Sequence, residues 1–412
     1  MRILYLCHRI PYPPNKGDKI RAFHQLRAMG ARHEVDLFTL ADEDVDTAHI
    51  RALREYCTRV TVARLNPRWA RLRSLPHVVT RAPLTVPYFH SGELQREVRQ
   101  AFRSNSYDRI FIYCSAMAQY VDGHHGIPIL TDLVDVDSDK WIQYAAYTKF
   151  PFSAVYRREG RRLREYERRI CERSSCVIVT TEREAQLLRQ ITQAAAVHVI
   201  PNGVDTGYFS PRQIPAESGP ATVIFTGDMS YFPNEEAVVF FAGKVLPVIQ
   251  QSIPGARFLI VGRKPGRNVL ALRKVEGVEV TGFVPDVRTY LAQAQVAVAP
   301  FSIAAGIQNK ILEAMAYGLP VAATPRALQG VSANVAEVVE TGHTAEELAG
   351  KIARLLQNPE QARSIGIEGR RRVTADYQWE QSLDQLLRLL EDPFHADSLD
   401  TEANSHCSFR AL

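Results

Sequence analysis

The chain has 412 residues, which is enough for two or three domains of ordinary size. Hydrophobic residues make up 46% and charged residues 23%, as in a soluble globular protein whose core needs no disulfide or metal. The net charge of +5 is mild, and no apolar run approaches the ~20 residues of a membrane span. The N-terminal stretch ILYLC is too short for a signal peptide. Because the six cysteines lack C-x-x-C spacing, we expect free thiols in a cytoplasmic protein.

Short apolar strands alternate with helix-period stretches along the first 200 residues. A helix is predicted from about Lys19 to Met29, after the first strand. Repeated strand–helix units indicate a parallel sheet that is covered by helices on both faces. The predicted strands are RILYLC (2–7), EVDLFTL (34–40), RVTVARL (59–65), RIFIY (109–113), PILTDLV (128–134), CVIVTT (176–181) and VHVIP (197–201).

A segment rich in Pro, Gly and Ser at 201–220 interrupts this alternation and is interpreted as a linker. The alternation then resumes, with helices at 234–250 and 307–317. The strands predicted there are TVIFTG (222–227), RFLIVG (257–262), VEVTG (278–282), VAVAP (296–300) and VAAT (321–324).

We therefore predict an α/β protein with two doubly wound Rossmann-like domains facing across a cleft. The first covers residues 1–205, a linker covers 206–220, and the second covers 221–375. A C-terminal helix is expected at 376–392 and a disordered tail at 393–412. Ligands of such sheets bind at the carboxyl ends of the strands, so the loops after strands are the candidate sites.

The loops after the strands of the second domain supply the first candidates. Glycines there let the chain turn close to a ligand, two adjacent cations suit a diphosphate, and exposed backbone could pair with the edge of a base. A plain capped turn, with Asn234 or Asp286 as N-cap, or a solvated loop is the alternative in each case. The candidates are Gly227, Gly262, Arg263, Lys264 and Val284.

The stretch AAGIQNKILEAMAYGLP (304–320) carries one lysine and one glutamate in an otherwise apolar helix. Gly306 and Ile307 lie at its predicted start, where free N–H groups and the helix dipole favour an anion. A carboxylate on such a helix is costly without partners, and the hydroxyls of a ribose are suitable ones. We predict that Glu313 binds ribose and that Lys310 and Arg263 bind two phosphates. The alternative is a surface salt bridge between Lys310 and Glu313.

In the first domain, two segments could contact an acceptor. The segment NKGDKIR (15–21) should lie above the first strand and face the donor, so Gly17 allows close approach and is a candidate for donor binding. Asp18, Lys19 and Arg21 could touch acceptor or phosphate, and the alternative is a helix start with Asp18 as its N-cap. The segment TDLVDVDSDKW (131–141) follows the fifth strand. Its Asp132, Asp135 and Asp137 could orient acceptor hydroxyls or cap the next helix. The rival interpretation is a metal site at the Asp-x-Asp of residues 135–137.

Two segments are rich in arginine. Residues 64–81 hold five arginines with Trp69 and no acid, and residues 157–173 hold eight arginines against four glutamates. Solvated helix faces with ion pairs explain such runs, and a surface that meets anionic lipid headgroups is the alternative. No nucleic-acid-binding motif accompanies the arginines, so nucleic acid is not expected as a partner.

Several longer motifs resemble a known family. GDMSYFPNEEAV, VGRKP, VTGFVPDVRTYLAQAQVAVAPF and GIQNKILEAMAYGLPVAAT resemble the donor domain of family 4 glycosyltransferases of the GT-B fold. PNGVDTGYFSP resembles the inter-domain segment of that family. CHRIPYPPNKGDKIRAFHQL, YCSAMAQY and DLVDVDSDKW resemble a narrower branch, the sugar transferases associated with exosortase (PEP-CTERM) exopolysaccharide systems of bacteria. The resemblance covers about residues 1–392.

The resemblance implies a retaining, metal-independent glycosyltransferase of hexosyltransferase type with no cofactor. It would move a sugar from a nucleotide-diphosphate sugar to a glycan or lipid-linked acceptor in exopolysaccharide synthesis. The protein would be cytoplasmic, with peripheral contact to the anionic inner membrane as an option. A nucleotide-sugar 2-epimerase of the same fold and a non-catalytic polysaccharide-system component are the alternatives. A dehydrogenase is disfavoured because no G-x-G-x-x-G follows RILYLC or TVIFTG.

The resemblance also bears on single residues. Glu313 matches the second glutamate of the family's Glu-x7-Glu, whereas the first falls at Ala305. The family often has Arg and Lys after the first donor-domain strand, but GDMSYFPN has neither. Arg263 and Lys310 must therefore supply the positive charge that binds the diphosphate. The family's acceptor-domain histidine matches Ser115, with His124 and His125 farther along. The catalytic candidates are Asp18, Ser115, Asp135 and Lys310.

Overall fold

The computed structural model describes residues 1–42, 46–78, 80, 82–121, 126–193, 196–211, 220–304 and 306–393. These residues form two compact units. The first runs from Met1 to Pro201 and includes the chain from Ser382 on, and the second is Asn202–Gln381. Residues 212–219 of the expected linker and the expected tail from residue 394 on lie outside the described residues.

Seven strands form the sheet of the first unit, in the order β3-β2-β1-β4-β5-β6-β7, and neighbouring strands pair in parallel. All seven strands predicted for this domain are confirmed. Their bounds are β1 (Arg2–Cys7), β2 (Glu34–Ala41), β3 (Arg59–Arg64), β4 (Arg109–Tyr113), β5 (Ile129–Val134), β6 (Cys176–Val179) and β7 (Ala196–Val199).

Helices cover both faces of this sheet. They are α1 (Gly17–Gly30), α2 (Thr47–Leu53), α3 (Pro67–Ser74), α4 (Thr85–Tyr88), α5 (Gly92–Ser104), α6 (Asp137–Ala146), α7 (Phe152–Arg173) and α8 (Glu182–Ile191), with 3-10 turns at Leu75–Val78 and Ser115–Tyr120. The alternation along β1 shows how the faces are filled. Tyr5 joins the hydrophobic cluster that contains Leu26 of α1, and Leu6 joins the one that contains Val98 of α5. Both faces of the strand are therefore buried, which explains its unbroken apolar sequence.

The second unit repeats the plan with six strands in the order β10-β9-β8-β11-β12-β13, again paired in parallel. The five strands predicted here are confirmed, and a short sixth, β13, was not predicted. The bounds are β8 (Thr222–Thr226), β9 (Arg257–Val261), β10 (Val278–Gly282), β11 (Val296–Ala299), β12 (Val321–Ala323) and β13 (Glu340–Thr341).

The helices of the second unit differ from prediction in detail. The predicted helix at 234–250 is α9 (Phe232–Phe240) and α10 (Leu246–Ser252) joined by a π turn at Phe241–Val245, next to Pro247, which cannot donate a helical hydrogen bond. The others are α11 (Arg267–Ala271), α12 (Arg288–Leu291), α13 (Asn309–Ala316), α14 (Ala333–Ala336), α15 (Ala345–Gln357) and α16 (Pro359–Asp376), with 3-10 turns at Leu272–Lys274 and Pro325–Leu328.

The last helix, α17 (Trp379–Glu391), begins in the second unit and returns the chain to the first. Leucines of this helix, including Leu386 and Leu390, join the same hydrophobic cluster as Tyr5. The Arg109 side chain donates to the carbonyls of Leu390 at 2.9 Å and Glu391 at 3.1 Å, so a cation satisfies the carboxyl end of the helix. The predicted C-terminal helix is therefore an element of the first unit's core over most of its length.

Three buried glutamates fix loops of the first unit by accepting from backbone N–H groups. Glu159 accepts from Leu84 at 2.6 Å, and Glu184 accepts from Val136 at 2.6 Å. Glu167 accepts from Ser138 N at 3.0 Å, and burial raises its pKa to about 8. None of the helices in the described ranges is long and apolar enough to cross a membrane.

Candidate functional site

The carboxyl ends of β8, β9 and β10 meet through three glycines. Gly227 N donates to Val261 O at 3.0 Å, and Gly262 N donates to Gly282 O at 3.2 Å. A Cβ on Gly262 would lie 1.6 Å from Gly227 O, so no side chain fits there. A Cβ on Gly227 would lie 2.8 Å from the Asn234 side-chain nitrogen. Close packing requires glycine at positions 227 and 262, whereas Gly282 has a φ of 78° that favours glycine. The three strand ends together form one backbone-lined edge.

Lys310, in the first turn of α13, extends toward this edge. Its Nζ donates to Asn234 Oδ1 at 2.7 Å and lies 4.7 Å from the ring centroid of Phe225 and 4.5 Å from that of Phe301. Burial lowers the pKa of Lys310 to about 7, although the charge of Glu313 opposes the shift. Among the described residues, the ammonium is thus held by one amide and two aromatic faces, without a carboxylate in direct contact.

Glu313 lies one turn further along α13 and is half-buried. Within the described ranges its carboxylate accepts no hydrogen bond and forms no ion pair, and burial raises its pKa despite the charge of Lys310. The alternative of a surface salt bridge between Lys310 and Glu313 does not hold, because Lys310 bonds to Asn234 instead. Partial burial of a carboxylate without a hydrogen-bond donor from the described residues costs free energy of folding. Such an arrangement is typical of a group that binds a ligand.

Arg263 follows β9 and is held by the loop after β8. Its Nε lies 3.0 Å from Asp228 Oδ2, and its carbonyl accepts from Met229 N at 2.9 Å. Lys264 is exposed, with a φ of 55°. Asp228 was not predicted, and its carboxylate fixes the direction of the arginine. Asn234 was expected as an N-cap, but it is the third residue of α9 and its amide bonds to Asp228 O and Lys310.

The other residues predicted for the donor site lie just after β10 and between β11 and α13. Val284 follows β10 and packs partly buried on the core of the second unit. Gly306 has a φ of 60°, and Ile307 is buried. The predicted helix start near Ile307 is wrong by two residues, because α13 begins at Asn309 with Gln308 as its N-cap residue. Ala305 lies outside the described residues.

A second side-chain group was missed by sequence reasoning. The Arg288 guanidinium carbon lies 3.9 Å from the centroid of the Tyr208 ring, and its Nη2 lies 2.8 Å from Asp286 Oδ2. Asp286 also accepts from Arg288 N at 3.0 Å, which caps the start of α12 from one residue before the N-cap position. The charge of Glu313 acts on Tyr208, so this stacked pair borders α13. Tyr208 lies about 80 residues before Arg288, and no local pattern links them.

In the first unit, β1 leads directly into His8 and Arg9. Asp18 Oδ2 lies 2.8 Å from Arg9 Nη1 and 3.5 Å from His8 Nε2. Burial alone would raise the pKa of Asp18, but the contacts with His8 and Arg9 hold it well below its usual range. Gly17 is exposed and begins α1, whose N-cap residue is Lys16. The expected cap role of Asp18 is thus replaced by an ion-paired cluster, and His8 could have been found from its position after a strand.

The remaining acceptor-side candidates separate into two groups. Ser115 is buried, and its hydroxyl lies 3.3 Å from Asp137 Oδ2. Asp135 lies beyond β5 and accepts from the Thr180 hydroxyl at 3.3 Å, and burial raises its pKa. Asp132 is not available to an acceptor, because it is fully buried in a 2.7 Å ion pair with Arg21.

The rival metal interpretation gains no geometric support. Within the described ranges no group of three or more His, Cys, Asp and Glu side chains is arranged to hold a metal ion. Asp135 and Asp137 diverge in their contacts, since Asp135 bonds to Thr180 and Asp137 contacts Lys140. His124 and His125 lie outside the described residues.

Two family models match the chain, and together they cover most of it. The model described as Glycosyltransferase Family 4 matches residues 19–208, and the model described as Glycosyl transferases group 1 matches residues 220–358. No curated protein matches the chain.

Solved structures show the same architecture along nearly the whole chain. Sucrose-phosphate synthase from Thermosynechococcus elongatus is 21% identical with a TM-score of 0.69, covering 96% of this chain and 100% of its own. HepE from Anabaena, in complex with UDP and glucose, is 17% identical with a TM-score of 0.67, covering 95% and 99%. TarM from S. aureus, in complex with UDP and other ligands, is 12% identical with a TM-score of 0.64, covering 94% and 99%. The chain therefore has the GT-B fold, in which residues 19–208 match the family 4 glycosyltransferase model and residues 220–358 match the group 1 glycosyl transferase model.

Proposed function

We propose that this chain is a glycosyltransferase that moves a sugar from a nucleotide-diphosphate sugar to a glycan or lipid-linked acceptor. The observation that carries the proposal is Glu313, a half-buried carboxylate with no donor among the described residues, one turn from Lys310. The vicinal hydroxyls of a ribose would supply the donors that it lacks. The complexes of HepE with UDP-glucose and of TarM with UDP support a uridine nucleotide as the first ligand to test.

The proposed chemistry relies on charge at the leaving group. Breaking a sugar–phosphate bond builds negative charge on the departing diphosphate, and cations aimed at it lower the barrier. Lys310 and Arg263 are the proposed cations, together with the backbone N–H groups before α13. Asp18, Ser115 and Asp135 remain the proposed acceptor-side residues. A retaining, metal-independent hexosyl transfer in an exosortase-associated exopolysaccharide system is proposed on the sequence resemblance alone.

The first experiment is a thermal-shift screen with UDP-, GDP- and ADP-sugars, because a ligand that binds the native state must raise its Tm. Product analysis then separates the alternatives. Release of nucleoside diphosphate only in the presence of an acceptor supports a transferase, whereas an epimerised nucleotide sugar supports a 2-epimerase. Nuclear magnetic resonance of the anomeric proton tests retention, and full loss of activity with EDTA would overturn metal independence.

We further propose peripheral contact with an anionic membrane through the first unit. Trp69 on α3 is 70% exposed, and Phe150, just before α7, is 84% exposed. Trp69 lies between Arg68 and Arg71 in the sequence, and Phe150 follows Lys149 and precedes the arginine-rich helix α7. An exposed aromatic side chain beside cations suits the boundary of anionic headgroups. Co-sedimentation with vesicles of anionic and of neutral lipid tests this proposal. Binding that is equal for both lipids, or absent for both, would contradict it.

A further inference from the structure

The two cations proposed for the diphosphate are bonded to one segment, the loop after β8 together with the first turn of α9. Asp228 Oδ2 lies 3.0 Å from Arg263 Nε, and Asn234 Oδ1 accepts from Lys310 Nζ at 2.7 Å. The same Asn234 side chain donates from Nδ2 to Asp228 O at 2.9 Å. An unbroken chain of contacts therefore joins Arg263 to Lys310 through Asp228 and Asn234.

The orientation of the Asn234 amide is fixed by its neighbours. An ammonium has only donors, so it requires the amide oxygen, and the carbonyl of Asp228 has only lone pairs, so it requires the amide NH2. Asn234 is itself buried, and Gly227 leaves the room that its amide occupies, since a Cβ there would lie 2.8 Å from Nδ2 and 3.4 Å from Lys310 Cε. A side chain at position 227 would thus displace the Asn234 amide, which is one partner of the bond.

We propose that Asn234 is a positioning residue, which holds the Lys310 ammonium at the end of β8 and links it through Asp228 to Arg263, so that the two cations act as one diphosphate clamp. The inference rests on the proposed function and adds to it the residue that assembles the clamp. A neutral amide suits this task because it orients an ammonium without forming an ion pair that would compete with phosphate.

The protonation of Lys310 gives this role a measurable signature. Its surroundings are the Phe225 and Phe301 rings and the Asn234 amide, and the charged group that acts on it is Glu313 on the same helix. The other charged groups on the elements around it are Glu235 and Glu236 on α9, and Asp228 facing Arg263 across the loop. Burial sets the pKa of Lys310 to about 7, so only part of the lysine is charged at neutral pH.

A diphosphate binds the charged form, so its affinity should fall about tenfold for each pH unit above the pKa of Lys310. Asn234→Asp places a carboxylate against the ammonium and raises that pKa, whereas Asn234→Ala removes the acceptor and lowers it. In a plot of nucleotide affinity against pH, we call the decline at alkaline pH the limb. This limb should therefore move to higher pH by about one unit in Asn234→Asp and to lower pH in Asn234→Ala. In Asn234→Asp the affinity at pH 6.5 should also drop about tenfold, because the new carboxylate competes with phosphate.

The experiment is isothermal titration of the full chain with UDP, or with GDP or ADP if either binds tighter, between pH 6 and 9. Titration at pH 8 in two buffers of different ionisation enthalpy counts protons, and the wild type should take up close to one (~0.9) on binding. Asn358→Asp is the matched control, because it adds the same charge to an exposed turn of the same unit and should leave the limb in place.

The outcomes separate this inference from the proposed function. If the wild type binds none of the three nucleotides, the proposed function fails and the inference falls with it. If the wild type binds but the limb stays in place in both Asn234 variants, only the inference is overturned. If circular dichroism shows that both variants are unfolded, Asn234 is a structural residue and the inference is overturned as well.

Discussion

Glu313→Gln should have two opposite effects, one on nucleotide binding and one on stability. The exchange keeps the size of the side chain and removes its charge. Because burial raises the pKa of Glu313, the charged carboxylate opposes folding of the second unit, and the neutral amide should relieve that cost. Nucleotide binding should weaken at the same time, because a glutamine offers only one acceptor oxygen to a pair of ribose hydroxyls.

The magnitudes follow from the environment of the carboxylate. A hydrogen bond to a charged group contributes about 1.5–3 kcal/mol, so the loss of one should weaken nucleotide binding by about 10- to 100-fold. Relief of the half-buried charge should raise the Tm, and each 1 kcal/mol of relief corresponds to about 2–4 °C for a domain of 150–250 residues. Glu313 also raises the pKa of Lys310, so its loss lowers that pKa further, and the comparison belongs at pH 6.5, where more of Lys310 is charged than at neutral pH.

The assay is titration of wild type and Glu313→Gln with UDP and with 2′-deoxy-UDP at pH 6.5, together with thermal unfolding of each protein without ligand. The wild type should lose affinity when the hydroxyl is removed, and the variant should lose much less, because the two changes remove the same bond. An equal penalty for the deoxy ligand in both proteins would refute ribose binding by Glu313. A lower Tm in the variant would refute the view that the carboxylate is unpartnered.

Three further outcomes are expected. Lys310→Met should weaken UDP binding by at least about tenfold at pH 6.5 and abolish the pH dependence near 7 in titrations, with no loss of Tm, because a buried ammonium is removed. Glu167 keeps its proton in the folded chain up to a pKa of about 8, so stability should fall as pH rises from about 4.5 to 8, and Glu167→Gln should flatten that slope in urea unfolding. Arg109→Ala removes two bonds at the end of α17 and should lower stability by roughly 1–2 kcal/mol, and an unchanged urea midpoint would contradict that cap.

The strands were predictable because burial on both faces leaves continuous apolar runs such as RIFIY and RFLIVG. β13 was missed because it has only two residues, Glu340 and Thr341, and neither is apolar. The start of α13 was set two residues early, since the small residues before it share the composition of a helix N-terminus. The local pattern of apolar residues thus predicts strands and helices that are buried along their whole length. It is less accurate for very short strands and for the exact residue at which a helix begins.

The sequence suggested the residues of the candidate site, but it did not predict the contacts between them. Lys310 and Asn234 are 76 positions apart, and Arg263 and Asp228 are 35 apart, so only the fold brings each pair together. The sequence suggested Glu313 as the partner of Lys310, because residues three or four positions apart on a helix can be recognised as neighbours from their spacing alone. Partners from different strands need the register of the sheet, which spacing does not contain.

The return of α17 to the first unit has a consequence for how the protein is made. A chain leaves the ribosome from its N-terminus, and domains generally fold as they emerge. The first sheet is complete by residue 201, yet the surface that receives Leu386 and Leu390 stays uncovered until the second unit and residues 382–391 have been synthesised. During that interval the second unit, a continuous segment, can fold first. Truncation before Ser382 should therefore leave the N-terminal unit prone to aggregation, although every strand of its sheet is present.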